Sequence, residues 1–128
     1  MNKIFSQKGQ ALILITFAMV ALVGFAALSI DGGRVLSDRR HAQNAADTAA
    51  YAAALANAKG LDITTAAQTR AATNGYDDGT SNDVTVTITS TASGICPSTG
   101  KDIKVSITSY VSTTFAIVIG RDQVTNTV

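Results

Sequence analysis

The stretch that decides the fold is residues 11–30, ALILITFAMVALVGFAALSI, which contains no charged residue. Its only hydroxyl groups are those of Thr16 and Ser29. As an α-helix it would be about 30 Å long, which is the thickness of the hydrocarbon core of a bilayer. Lipid offers no hydrogen-bonding partner to the backbone, so a segment that crosses it must be helical. The stretch therefore predicts a single membrane-spanning helix.

Two other interpretations of residues 11–30 fit less well. A buried core helix would need a large apolar partner surface, and the rest of the chain is poor in large apolar residues. A cleavable secretory signal has an apolar region of about 7–15 residues, followed by a cleavage site made of small residues. Here the apolar run is longer and leads directly into charged sequence. We interpret it as a membrane anchor.

The composition of the 128-residue chain argues against catalysis and against nucleic-acid binding. The formal net charge is +1, and the chain has one His, one Cys and no Trp. A near-neutral chain has no broad electrostatic attraction to nucleic acid. A lone cysteine forms no intrachain disulfide, and no Cys/His cluster suggests a metal. We therefore expect no enzyme activity, no catalytic or metal-binding residue, no cofactor and no nucleic-acid partner.

Basic residues flank the apolar stretch on both sides, so their number alone sets the orientation weakly. They are Lys3 and Lys8 before it, and Arg34, Arg39 and Arg40 after it. The short basic head, residues 1–9, is not easily translocated ahead of its helix, whereas residues 61–128 look like a small exterior α/β domain. We expect the N-terminus in the cytoplasm and everything beyond about residue 31 outside.

A processing site is suggested by Gly9 and Gln10, because Lys8-Gly9 before an apolar run resembles the cleavage site of prepilins. In prepilins cleavage follows the glycine, and a glutamate stands at the fifth position after the cut. Here that position is Leu14. This departure favours an intact head over cleavage between Gly9 and Gln10.

The anchor helix is expected to continue well beyond the membrane. Residues 35–59 are rich in alanine and free of Pro and Gly, which predicts helix almost regardless of context. Gly32 and Gly33 cost about 1 kcal/mol each in a helix interior and predict a weak point, where the helix could kink. Gly60 supplies a C-terminal stop. With a mild kink, residues 10–60 contain one rod of roughly 75 Å.

Two faces of this second half differ in chemistry. Four polar residues recur at helical spacing and share one face, namely Arg40, Asn44, Asp47 and Tyr51. A second stripe consists of small side chains, namely Val35, Ala42, Ala46, Ala49, Ala53 and Ala56. Small residues let a neighbouring element approach closely. The stripe either covers only its own domain or also packs against neighbouring copies, and both interpretations stay open.

The remaining sequence predicts a short helix and a small sheet. Asp62 is expected to cap a helix over residues 63–74, followed by a turn over residues 76–83. Apolar residues alternate with Thr, Ser or Lys in two later runs, which predicts two antiparallel strands. These apolar residues are Val84, Val86 and Ile88 in the first run, and Ile103, Val105 and Ile107 in the second.

Between and after these strands the patterns are less uniform. Residues 91–101 contain Pro97 and predict a loop, in which Cys96 is expected to be a free thiol. Residues 113–119 fit a strand or one or two turns of helix. Residues 123–128 predict a third strand, with Val124 and Val128 facing inward. We expect Val105, Ile107 and Phe115 to lie deepest, packed on the small-residue stripe.

A set of short motifs in a fixed order resembles the N-terminal module of the TadE/TadG-like proteins of the tight-adherence (Flp) pilus assembly group. The motifs are Gly9-Gln10-Ala11, Asp31-x-Gly33-Arg34, Arg39-Arg40 and Gln43-Asn44-Ala45-Ala46-Asp47, followed by an alanine run. The resemblance covers about residues 9–59. It implies a bacterial envelope protein with one N-terminal anchor that works with or within a pilus machine, and it supplies no catalytic site.

The expected architecture is α+β and resembles the lollipop shape of pilins, with a small sheet on the second half of a long helix. In a pilin-like filament the apolar halves of many copies would bundle, and small side chains would let them approach. The expected transmembrane and filament-core residues are Ala11, Leu14, Ala18, Ala21, Gly24, Phe25, Ala27 and Ile30. The implied partners are the bilayer before assembly, copies of the chain and the inner-membrane assembly machinery.

The family-motif residues are the expected interface, and each has a second interpretation. They are Asp31, Gly33, Arg34, Arg40, Gln43, Asn44 and Asp47. Asp31 would be solvated at the membrane surface, or paired with Arg34 or with a basic group of a neighbouring copy. The amide and carboxyl groups of Gln43, Asn44 and Asp47 would bind loops of their own domain or an adjacent subunit. His41 is expected to be solvated.

The sequence therefore predicts a pilin or pseudopilin, a structural subunit that passes from the inner membrane to a filament at the cell surface. The alternative is a single-pass inner-membrane assembly factor that never polymerises.

Overall fold

The computed structural model describes residues 8–79, 82–90 and 101–128. Residues 1–7 of the basic head, and the predicted loop up to residue 100 with its Cys96, lie outside the described residues. Among the described residues the order of elements is a long helix, a short helix and three strands, with a short 3-10 helix before the last strand. This confirms the predicted α+β architecture.

The long helix α1, Lys8–Ala58, is a single helix of 51 residues, about 77 Å in length. The weak point predicted at Gly32 and Gly33 does not interrupt it. The predicted stop is confirmed, because Gly60 has φ 68° and the N–H of Leu61 donates to the carbonyl of Ala56 at 2.8 Å. That hydrogen bond reaches five residues back, into the last turn of the helix, and satisfies a carbonyl that the helix itself leaves unpaired.

The short helix α2, Ile63–Thr73, lies against the second half of α1. The predicted cap is confirmed, since the carboxylate of Asp62 accepts the backbone N–H of Thr65. The helix ends at Asn74 and Gly75, and the N–H of Tyr76 donates to the carbonyl of Ala71 at 3.0 Å. Polar caps therefore close this helix at both ends.

The sheet has three antiparallel strands in the order β1 (Asn82–Ser90), β2 (Lys101–Ser112) and β3 (Gln123–Thr127), with β2 in the centre. The predicted pairing is confirmed, with Val86 opposite Val105 and Val111 opposite Val124. The predicted inward side chains of β1 lie outside the described side chains. Residues 113–119 contain the 3-10 helix, Ala116–Ile119, so the helical alternative is the one that forms.

The core is built mainly from alanine. The buried apolar residues are Ala42, Ala45, Ala46, Ala49, Ala53 and Ala56 on α1, Ala67 and Ala71 on α2, and Tyr76, Val105 and Ile107. Ile107 is the largest side chain that is fully buried. The small-residue stripe of α1 therefore faces the chain's own α2 and sheet, and Val35 is partly buried at the N-terminal end of the stripe. We call the described residues from Leu61 to Val128 the head.

One core prediction is wrong. Val105 and Ile107 are buried as expected, but Phe115 is 39% exposed. Its backbone N–H contacts α1 by donating to a carboxylate oxygen of Asp31 at 2.9 Å. Period-2 alternation predicts inward side chains only within a strand, and Phe115 follows the end of β2.

Candidate functional site

The most exposed apolar surface of the described chain is the first half of α1. From Gly9 to Ile30 every side chain is exposed except that of Ala27, which is partly buried. Among the described residues the head packs on α1 mainly from Asp31 onward, so the side chains of residues 11–30 are exposed except for that of Ala27. By length and composition α1 could cross a membrane. A surface this apolar on a described helix marks a site of contact with lipid or protein.

The residues predicted to form a filament core all lie on this exposed half-helix. Ala11, Leu14, Ala18, Ala21, Gly24, Phe25 and Ile30 are exposed, and Ala27 is partly buried. A Cβ atom added at Gly24 would meet no other atom within 4 Å. The predicted processing site is also exposed, because Gly9 and Gln10 lie in the first turn of α1.

Asp31, the first charged residue after the apolar run, is 7% exposed and binds the head. Its carboxylate accepts the backbone N–H groups of Thr114, Phe115 and Ala116 at 2.8, 2.9 and 2.8 Å. Asp31 is therefore not solvated at the surface, and Arg34, one of its predicted partners, acts on it through its charge. Arg34 lies beside it and donates from Nη1 to Oγ1 of Thr114.

The N–H groups of Thr114, Ala116 and Phe115, together with the charge of Arg34, hold the pKa of Asp31 below its usual value, although burial acts in the opposite direction. The carboxylate therefore stays charged while it holds the segment between β2 and β3 against α1.

Asp38, two turns further along α1, forms a second junction that the sequence reasoning missed. Its Oδ1 accepts the Tyr76 hydroxyl at 3.0 Å, and its Oδ2 accepts Nδ2 of Asn126 at 2.8 Å and the hydroxyl of Ser109. Asn126 also donates to the carbonyl of Val35 at 3.0 Å. Asp38 thus ties the residues after α2, the strand β2 and the strand β3 to the same point of α1.

The electrostatics of this junction follow from burial and hydrogen bonding. Burial alone would raise the pKa of Asp38, but the hydrogen bonds from Asn126, Ser109 and Tyr76 outweigh it and lower that pKa. Burial, the hydrogen bond to Asp38 and the charge of Asp38 together raise the pKa of Tyr76 well above its usual value. The folded chain therefore favours a charged carboxylate beside a neutral phenol.

Residues 9–57 match a family model described as Putative Flp pilus-assembly TadE/G-like. This segment is therefore similar to the TadE/G-like proteins, and we call residues 9–57 the TadE/G-like module. The match covers nearly all of α1, including both junction carboxylates, and stops before α2. No curated protein and no solved structure matches the chain. The head lies outside the matched segment.

The other family-motif residues of the TadE/G-like module lie on its exposed face. Gly33, Arg34, Arg40, Gln43, Asn44 and Asp47 are all exposed. The side-chain amide of Gln43 donates to Oδ1 of Asp47 at 3.1 Å, one turn along the same helix. Gln43 and Asp47 are therefore hydrogen-bonded to each other, whereas Asp31 and Asp38 bind the head. The exposed face that carries Gln43 and Asp47 is available to other molecules.

His41 of the module differs from its expected solvated state. The side chain is exposed, but its Nε2–H donates to the carbonyl of Asn74 at 2.9 Å, and its ring centroid is 5.4 Å from that of Tyr76. It therefore joins α1 to the end of α2. Within the described ranges, no group of three His, Cys, Asp or Glu side chains is placed to hold a metal ion.

The raised pKa of Tyr76 predicts a specific loss of stability in alkali. The folded chain keeps the phenol proton to a higher pH than the unfolded chain does. Its stabilising effect is therefore complete below about pH 10 and is lost as the pH rises above that value. We expect Tyr76→Phe to remove this alkaline loss and to cost about 1 kcal/mol near neutral pH through the lost hydrogen bond to Asp38.

Urea unfolding of the full chain in detergent micelles, repeated from about pH 8 to pH 11, measures this effect. Tyr110→Phe is the matched control, because Tyr110 is a more exposed tyrosine of β2. The control should keep the alkaline loss. If the free energy of unfolding of Tyr76→Phe fell in alkali as much as that of the unmodified chain, the Tyr76 phenol would not be the group responsible for the loss.

Proposed function

We propose that this chain is a structural subunit, a pilin or pseudopilin, of a bacterial Tad/Flp-like surface filament. The observation that carries the proposal is the contrast between the two halves of α1. In the part of the chain that the structure describes, the second half is covered by the head through buried alanines, whereas the twenty uncharged residues of the first half are exposed apart from the partly buried Ala27. A TadE/G-like module on such a helix fits a part that assembles through its apolar half.

In this proposal residues 11–30 have two successive environments. Before assembly they cross the inner membrane, with residues 1–9 in the cytoplasm and the head outside. After assembly they lie among the same residues of other copies at the cell surface. Leaving lipid for such a bundle changes apolar burial little, so close packing of small residues must supply the preference. Ala18, Ala21 and Gly24 provide such residues.

The junctions to the head support this role, because they keep the polar part of the chain compact. Asp31 and Asp38 are satisfied by the chain's own donors. Neither therefore requires a charged partner from a neighbour. The exposed polar face of the module, with Arg40, Asn44 and Asp47, remains for contacts with other subunits or with the inner-membrane assembly machinery. We propose no catalytic role for any residue.

Gly24→Leu tests the filament proposal directly. A Cβ atom at residue 24 would meet no atom of the described chain beyond its own helix backbone within 4 Å, and the position is exposed. Leucine also keeps the segment apolar, so folding and membrane insertion should be unaffected. If α1 helices pack closely in a filament, the added isobutyl group should prevent the approach and abolish most of the fibres. The measurement is the amount of this chain in sheared surface filaments, by electron microscopy and mass spectrometry.

Val23→Leu is the matched control, since it adds one carbon at a neighbouring exposed position. It should leave the filaments intact. The alternative function, a single-pass assembly factor that never polymerises, is equally compatible with the family description. It predicts that the unmodified chain is absent from sheared filaments and is extracted by detergent as a small species, which would overturn the subunit proposal.

A further inference from the structure

The segment between β2 and β3 exposes a compact apolar surface. We call residues 113–122 the tip. Within it Ile117, Val118 and Ile119 are 56%, 85% and 80% exposed, and they are consecutive residues of the 3-10 helix. Three adjacent large apolar side chains at this exposure are not explained by the packing of the head. They point to a contact outside the chain.

The position of the tip along α1 is fixed by Asp31. Three consecutive N–H groups of the tip, from Thr114 to Ala116, bind this carboxylate. Asp31 is the residue directly after the uncharged stretch, so the tip lies at the level where that stretch ends. Ala27 is one turn earlier on the same side of α1 and is partly buried, unlike the rest of residues 9–30. The tip is thus the part of the head nearest to the apolar half-helix.

The backbone of the tip is largely satisfied by its own hydrogen bonds. The N–H groups of Val118, Gly120 and Arg121 donate to carbonyls within the tip at 3.1, 3.0 and 3.0 Å. A further bond closes its base, from the N–H of Thr113 to the carbonyl of Asp122 at 2.9 Å. Paired backbone groups matter here, because unpaired ones are costly in a medium without water. The tip therefore presents its apolar side chains with most of its backbone N–H groups already paired.

Charged residues border the apolar surface. Arg121 and Asp122 follow it directly, and Arg34 reaches Thr114 from α1. Arginine beside an apolar surface is typical of the boundary between acyl chains and headgroups, where the guanidinium stays in the polar layer. The two opposite charges at residues 121 and 122 cancel. The apolar side chains, and not a net charge, would therefore provide the attraction.

We propose that the tip is a second membrane contact, in which Ile117, Val118 and Ile119 enter the interface of the leaflet from which α1 emerges. This inference rests on the proposed placement of residues 11–30 in lipid. It assigns the tip a depth of about 5–10 Å, within the layer of headgroups and upper acyl chains. One helix alone would leave the head free to tilt, whereas a helix and a tip define the orientation of the head on the membrane.

The chain contains no Trp, so single-Trp variants report on one position each. The reporters are Val118→Trp in the tip, Phe17→Trp in the apolar half-helix and Tyr51→Trp on the upper part of α1, where Tyr51 is 74% exposed. The full chain is reconstituted at low density in vesicles of phosphatidylcholine and phosphatidylglycerol. A nitroxide quencher is placed either high or low on the acyl chains of the lipid.

We expect Val118→Trp emission to shift to the blue and to be quenched more by the shallow label than by the deep one. Phe17→Trp should be quenched more by the deep label, and Tyr51→Trp by neither. Circular dichroism of the three variants should match that of the unmodified chain, because all three positions are exposed.

Each other outcome has a separate meaning. If Phe17→Trp is quenched and Val118→Trp behaves like Tyr51→Trp, the tip faces water and the inference is overturned while the anchor stands. A blue-shifted Val118→Trp that no lipid label quenches would place the tip against protein, which also overturns it. If Phe17→Trp is not quenched, the proposed anchor itself fails, and the inference fails with it.

Discussion

Asp38→Ala is expected to lower the free energy of unfolding of the head by about 3–5 kcal/mol, because three donors lose one shared acceptor. Ser109 and Asn126 are buried, so their polar groups would have no water to replace the carboxylate. Small domains are stable by about 5–15 kcal/mol in total, and this head has a thin alanine core. The substitution should therefore leave much of the head unfolded while α1 stays helical.

Urea unfolding of the full chain in detergent micelles, followed by the near-ultraviolet signal of its tyrosines, measures this loss. Asp47→Ala is the matched control, because Asp47 is an exposed aspartate of the same helix whose carboxylate accepts from Gln43. Its effect should stay within about 0.5 kcal/mol. Equal unfolding midpoints for the two variants would mean that the head does not depend on the Asp38 junction.

Acid should also lower the free energy of unfolding of the head, because it protonates Asp38. The pKa of Asp38 is lower in the folded chain than in the unfolded chain, so its stabilising effect is present above about pH 4 and is lost as the pH falls through the folded-state pKa. The pKa of Asp31 is lowered as well and contributes in the same direction. In Asp38→Ala the loss of stability in acid should therefore be reduced but not abolished.

Ala49→Leu is expected to have the second largest effect, a loss of about 3 kcal/mol, at the upper end of what overpacking costs. Ala49 is fully buried in the core that α1 forms with α2 and β2. A core made mainly of alanines holds its elements at short distance, which leaves little room for an isobutyl group. The added volume should push the head away from α1.

Ala54→Leu is the matched control, since Ala54 is exposed on the same helix and the substitution is identical. Both residues favour helix similarly, so α1 itself should be unchanged in either variant. Amide hydrogen exchange of β2 in the full chain separates the two cases. Loss of protection in Ala49→Leu only is the expected result, and equal protection in both would mean that the core relaxes around the larger side chain.

Much of the fold follows from the spacing of residues along the chain. The alanine stripe of α1 and the alternation of β2 each predicted a buried face, and those faces meet in the structure. The cap at Asp62 and the stop at Gly60 could be predicted because both depend on local backbone chemistry. Helix propensity also outweighed two adjacent glycines, which cost little within a run of good helix formers.

The two junctions were missed for a physical reason. Asp31 and Asp38 fall on the small-residue stripe, at helical spacing from Val35 and Ala42. Asn126 falls on the same inward face of the last strand as Val124 and Val128. A charged residue on a buried face must be paired, so these positions were signals that could have been used. Which donors pair with them depends on how helices and strands that are distant in sequence pack together. No local sequence pattern predicts those distances.

The two carboxylates also have a mechanical consequence. Asp31 holds the segment before β3, whereas Asp38 holds both strands and the end of α2, and the two lie seven residues apart on one rigid rod. A pull along that rod is therefore shared between two separate attachment points, and rupture of the polar contacts at one point leaves the other in place.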